Sequence, residues 1–139
     1  MDYTGGKVEL FSDDEKQFLI TDQILKEKCE LTWCTYHSLE KNEYPPADAV
    51  VMHFNKEKTK SGAFDSIIRV KGKLGHSTPI LAIIEGGSAQ VIFSLLEIGV
   101  FDYIETTDNI QKYQKKLEDI LLWSWYIKQY GSTGKGNER

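Results

Sequence analysis

A strong excess of either charge is missing from this chain: 17 lysines and arginines stand against 21 aspartates and glutamates, a formal net charge of −4. Without a basic field there is no electrostatic footprint for DNA or RNA, and direct nucleic-acid binding is not expected. Cysteine is scarce. Cys29 and Cys34 have neither C-x-x-C spacing nor a histidine cluster nearby, which argues against a disulfide framework or a zinc module. They read as small core residues in a reducing compartment. No apolar run approaches the length of a membrane span, and Met1-Asp2-Tyr3-Thr4-Gly5-Gly6 lacks the basic and apolar segments of a leader. No membrane contact is expected, and the location is read as cytoplasmic.

What is present is the material of one domain. Among 139 residues 40% are hydrophobic and 27% charged, enough apolar surface to bury a core without staples. We read residues 1–130 as the domain and 131–139, rich in glycine and polar residues, as a flexible tail or a linker to a following output domain. Lys7 to Phe11 reads as a first strand, and Ser12-Asp13-Asp14-Glu15 ends it and caps a helix over Lys16 to Lys28. Cys29-Glu30 precedes a second strand, Leu31 to Cys34. Pro45-Pro46 limits any second helix to a turn or two. Ala47 to Phe54 is a near-continuous apolar run, the pattern of a strand covered on both faces.

A polar loop through Ser61-Gly62 is followed by a third helix carrying Phe64, Ile67, Ile68 and Leu74, ended by Gly72 or Gly75. Ile80 to Ile84 is a fourth strand. Gln90 to Ile98 is a fourth helix with Val91, Leu95 and Ile98 on one side, stopped by Gly99. Phe101 to Ile104 is a fifth strand, and Asn109 to Tyr130 a long last helix. Alternating strands and helices predict an α/β, flavodoxin-like (CheY-like), doubly wound five-stranded parallel sheet of order 2-1-3-4-5. That order places a site beyond the carboxyl ends of strands one and three, where Asp13 and His53 should meet.

Three strings carry a resemblance. Lys7-Val8-Glu9-Leu10-Phe11-Ser12-Asp13 is similar to the first strand and acidic pair of the bacterial two-component receiver domain. Asp48-Ala49-Val50-Val51-Met52-His53 is similar to its phosphoacceptor strand. Gly99-Val100-Phe101-Asp102-Tyr103-Ile104-Glu105-Thr106 is similar to its Gly-Ala-Asp-Asp-Tyr-x-x-Lys. The resemblance implies a signal-transduction module whose pocket holds Mg²⁺ on two acids, accepts phosphate on a third carboxylate, and reads it through a hydroxyl and a lysine. Matched position by position, Ser12 and Asp13 stand at the acids, His53 at the acceptor, Ile84 at the hydroxyl and Thr106 at the lysine. A one-residue shift makes Asp13-Asp14 the acidic pair. Tyr103 falls at the family's switch aromatic.

These replacements remove the chemistry. An imidazole cannot form an acyl phosphate and offers a hard cation no anionic oxygen. Ile84 has no hydroxyl and Thr106 no charge with which to hold a phosphoryl group. The chain therefore resembles a degenerate receiver, a pseudo-receiver, with no catalytic residue, no cofactor and no resident metal expected. His53 reads as a hydrogen-bonded side chain filling a dead pocket, Gly86-Gly87-Ser88 as a plain strand-to-helix turn, and Arg69, Lys71, Lys73 and His76 as a solvated helix face.

On the last helix Ile110, Tyr113, Leu117, Ile120 and Leu121 form one stripe suited to the sheet, and Trp123, Tyr126, Ile127 and Tyr130 a second. The first function expected is phosphorylation-independent protein–protein interaction, as a homodimer or with a partner or linked output domain. It would use the face of the fourth helix, fifth strand and last helix, with Leu95, Tyr103, Tyr113, Trp123 and Tyr126 as candidates. The alternative is a small-ligand or metal sensor using Asp13, Asp14, His53 and Glu85. Phosphorylation at Asp48 is disfavoured, because the start of strand three lies far from the pocket mouth.

Overall fold

The computed structural model describes residues 6–131; the segments 1–5 and 132–139, which include most of the anticipated tail, lie outside the described residues. The strands are β1 (Gly6–Phe11), β2 (Cys29–Cys34), β3 (Ala49–Phe54), β4 (Ile80–Ile84) and β5 (Asp102–Ile104). They form one parallel sheet in the order β2-β1-β3-β4-β5. The helices are α1 (Glu15–Leu25), α2 (Tyr36–Glu40), α3 (Lys56–Lys60), α4 (Ala63–Leu74), α5 (Ala89–Glu97) and α6 (Ile110–Tyr126). This is the doubly wound α/β fold anticipated from the alternation of elements.

All six residues of β3 and all five of β4 are buried, so the sheet divides the interior into two cores. Val8, Leu10, Ala49, Val51, Leu81 and Ile83 face one side and pack with Leu25 of α1 and Tyr113, Leu117, Ile120 and Leu121 of α6. Phe11, Val50, Met52, Phe54, Ile80, Ala82 and Ile84 face the other, against Tyr36, Leu39, Tyr44, Ile67, Val70 and Leu95. Emptying any of the large fully buried positions by truncation to alanine costs about 2–5 kcal/mol. Between α1 and α6 a polar pin runs through the first core: the Thr21 and Tyr113 hydroxyls lie 2.7 Å apart, and Thr107 Oγ1 donates to Gln17 Oε1 at 2.9 Å.

Several boundaries differ from the sequence reading. The first helix stops at Leu25 instead of Lys28, because Glu27 takes a positive φ of 70° and turns the chain straight into β2, which already includes Cys29 and Glu30. The loop expected after β3 contains α3, started by Asn55, whose side chain accepts from the Lys58 amide. Gly75 at φ 108°, not Gly72, closes α4. The last helix runs regularly only to Tyr126 and ends in a wide π-type turn over Ile127–Gly131. Ile110, placed in the core stripe, is 45% exposed.

The basic cluster on α4 is not simply solvated. Lys71 is buried, its amine donating to the His76 carbonyl at 3.3 Å, and burial holds its pKa below the ordinary lysine value. Gly99 ends α5 at φ 100°, and a Cβ there would lie 3.0 Å from the Lys71 Cε and Nζ atoms.

Candidate functional site

At the carboxyl ends of β1 and β3 the chain leaves a cavity of about 140 Å³ lined by Asp13, Asp14, Tyr36, His53, Asn55, Lys58 and Glu85. His53 is only 3% exposed and has both ring nitrogens engaged. Nε2 meets Glu85 Oε2 at 2.5 Å, and Nδ1 meets Ser12 Oγ at 2.9 Å. In the neutral ring Nε2–H donates to the carboxylate and Nδ1 accepts the Ser12 hydroxyl, whose oxygen also accepts the Asp14 amide at 3.0 Å. A protonated ring would donate from both nitrogens, and Ser12 would turn its hydrogen to the Asp14 carbonyl 3.3 Å away. Either way every polar atom of the imidazole is satisfied.

A serine, a histidine and a glutamate in sequence invite comparison with a hydrolytic triad. The geometry does not support one: Ser12 is fully buried and its oxygen is already shared between His53 and the Asp14 backbone, so no substrate carbonyl can reach it. The acids at the mouth also have structural duties. Asp14 caps α1, accepting the Lys16 amide at 3.0 Å, and Asp13 Oδ1 accepts the Tyr36 amide at 3.1 Å. The Tyr36 hydroxyl donates to the His53 carbonyl at 2.8 Å, and burial, then the Asp13 charge, raises its pKa well above the ordinary phenol value. The Lys58 ammonium sits 4.4 Å from the centre of the Tyr36 ring. Among the described residues no three His, Cys, Asp or Glu side chains are grouped to hold a metal ion.

Of the residues anticipated at this pocket, Ser12, Asp13, Asp14 and His53 are brought together, with Glu85. Ile84 and Thr106 are not. Ile84 follows Phe54 onto the opposite core, since neighbouring side chains on a strand alternate in direction, and it is Glu85 that turns toward His53. The close approach of Ile84 also explains Gly87: a Cβ there would lie 2.6 Å from Ile84 Cγ2. Ser88 caps α5 by accepting the Val91 amide, so the glycine pair forms a strand-to-helix turn. Thr106 is exposed and lines a separate hollow with Tyr103, Glu105, Asn109, Lys112 and Lys116. Asp48 lies at the opposite end of β3, accepting the Lys7 amide at 2.8 Å and pairing with Lys128.

The face of α5, β5 and α6 also needs correction. Leu95 and Tyr113, anticipated there as contact residues, are 2% and 0% exposed and belong to the two cores. The side chains this face presents are Phe93, 69% exposed, with Leu96, Phe101, Trp123 and Tyr126. Phe101 and Trp123 stack with centroids 6.2 Å apart. Phe93 and Leu96 line an open groove of about 410 Å³ with Gly87, Ala89, Ile92, Tyr103 and Glu105. The helical period could have revealed them: Phe93 and Leu96 are three residues apart, and only one face of an apolar helix can meet the sheet.

The sequence matches no protein-family model and no curated protein. Solved structures do share its fold. A response regulator from Thermotoga maritima superposes with a TM-score of 0.69 at 14% identity, covering 84% of this chain and 98% of that one. The non-phosphorylated HemR receiver domain from Leptospira biflexa gives 0.68 at 20% identity, covering 84% and 94%. A structure described as adenylate cyclase from Rhodopirellula baltica gives 0.71 at 12% identity, covering 94% and 98%. The fold is that of response-regulator receiver domains. Among the described residues no helix is long and apolar enough to cross a membrane.

Proposed function

We propose that this chain is a phosphorylation-independent signalling module that acts by binding protein through the α5–β5–α6 face. The observation that carries the reading is His53: the acceptor position holds an imidazole, buried, with both nitrogens already bonded to Ser12 and Glu85. Such a group has neither a carboxylate for an acyl phosphate nor a free nitrogen for a phosphoramidate. The surface supports the other half of the reading. Phe93, Leu96, Phe101, Trp123 and Tyr126 give α5, β5 and α6 an apolar, aromatic-rich face of the composition that binding surfaces favour.

The test pairs two measurements. Incubation with acetyl phosphate and with phosphoramidate, followed by intact-mass analysis, is expected to leave the protein unmodified. Sedimentation velocity is expected to show self-association that Phe93→Asp abolishes, and that Trp123→Ala combined with Tyr126→Ala weakens, with circular dichroism unchanged. A phosphoryl adduct at a carboxylate of the pocket overturns the first half; association indifferent to both variants overturns the interface. The cavity formed by Asp13, Asp14, Asn55, Lys58 and Glu85 supports small-ligand sensing as the second reading. Saturable amide shifts at Asp13 and His53 during a titration with Mg²⁺ and beryllofluoride would bring it forward.

A further inference from the structure

Outside this pocket, among the described residues, two buried side chains carry polar atoms with no hydrogen-bond partner, Glu9 and Tyr44. Glu9, in the middle of β1, is fully buried, and neither carboxyl oxygen makes a hydrogen bond. It faces the core of Phe11, Cys34 and Tyr44, because Val8 and Leu10 on either side face the other core. The Tyr44 hydroxyl is likewise buried and unpartnered. Directly above, α4 closes the region: Lys73 Nζ lies 3.9 Å from the centre of the Tyr44 ring and donates to the Asn42 and Tyr44 carbonyls at 2.8 Å each. A single ammonium thus fastens the segment 41–48 over a carboxyl that has nothing else to bond.

We propose that Glu9 is a proton-operated latch: neutral, it leaves Lys73 fastened to the Asn42 and Tyr44 carbonyls, and ionised, it draws that ammonium inward and frees the segment 41–48. The chemistry is a competition for one cation between two carbonyl dipoles and a carboxylate, and a desolvated carboxylate is by far the stronger acceptor. The reaction is a proton leaving Glu9 to solvent; no covalent bond other than O–H breaks, and the two Lys73 hydrogen bonds to the carbonyls are exchanged for one to the carboxylate. The titratable and charged groups around Glu9 are Cys34 from β2, Tyr44 from the segment before β3 and Lys73 from α4, with Arg69 of α4 acting on Tyr44. Burial and the Glu9 charge push the Cys34 thiol up to about 11, and burial and the same charge raise the Tyr44 phenol, so neither ionises in the neutral range. Burial lifts Glu9 to about 7 against the opposing pull of Lys73, which leaves it the group that changes state there. His53 lies at the far end of β3 and reads a different cavity.

The experiment is a carboxyl-carbon NMR titration of the full chain between pH 5 and 8.5, run beside backbone amide spectra. Glu9 Cδ is expected to titrate near neutral pH, and the amides of Asn42 and Tyr44 to move with the same midpoint. Glu9→Gln should abolish that movement, and His53→Gln should leave it intact. Lys73→Met, which keeps the fold's apolar contacts if Glu9→Gln does not fold, should uncouple the amides while Glu9 titrates still higher. A Glu9 midpoint in the ordinary carboxylate range overturns the proposal. So do Asn42 and Tyr44 amides that titrate equally in Glu9→Gln, or that still follow Glu9 in Lys73→Met.

Discussion

His53 and Glu9 are both polar side chains sealed against the same sheet, on neighbouring strands and opposite faces. Around His53 a hydroxyl and a carboxylate complete the hydrogen bonding in either protonation state. Around Glu9 no hydrogen-bond partner is supplied at all. The contrast separates two uses of buried polarity. A fully bonded group fixes one arrangement, because any movement breaks bonds that water cannot replace. An unbonded one leaves the interior dependent on whether a proton is present.

The most damaging way to break the comparison is to empty the satisfied site. His53→Ala removes the ring and strips Glu85 and Ser12 of their shared partner, and it is expected to cost about 2–4 kcal/mol in urea denaturation. Glu9→Gln acts in the opposite sense and only above a certain pH. The Glu9 carboxyl is raised from 4.5 to about 7 in the fold. The stability that accompanies its neutral form is therefore complete below 4.5 and is lost as pH rises through about 7. The variant should match wild type at pH 4 and exceed it by about 1–3 kcal/mol at pH 8, measured as a difference between two denaturation midpoints. Tyr44→Phe sharpens the comparison most gently. It deletes a hydroxyl that has no partner, and should change stability by less than about 1 kcal/mol, toward greater stability, by thermal denaturation.

Much of this architecture was legible in the chain. Ala49–Phe54 and Ile80–Ile84 are apolar throughout, which only a doubly covered strand tolerates, and from them the parallel sheet follows. His53 at the end of the first run, and Ser12-Asp13-Asp14 after β1, placed the pocket. What the pattern could not supply was direction. Ile83, Ile84 and Glu85 show no alternation, so nothing in the string tells which side chain turns to His53. On α5, by contrast, the helical period did carry the split, with Leu95 packed inward and Phe93 and Leu96 turned outward, although the apolar run around them blurs it. The lysine-rich stretch 56–60 has no apolar period, and α3 owes its start to the Asn55 cap. Glu9 was there to be found. A glutamate between Leu10 and Val8 must face one covered side of a central strand, and in such a sheet neither side meets water.

The carboxyl end of α6 is fastened where the sheet begins: Ser124 Oγ donates to the Asp48 carbonyl at 3.0 Å, Lys128 pairs with the Asp48 carboxylate at 3.3 Å, and that carboxylate holds the Lys7 amide. In mechanical terms, a load applied to the end of this helix enters the sheet at β1 and β3 together, two adjacent interior strands. It does not enter through β5, the three-residue strand at the edge.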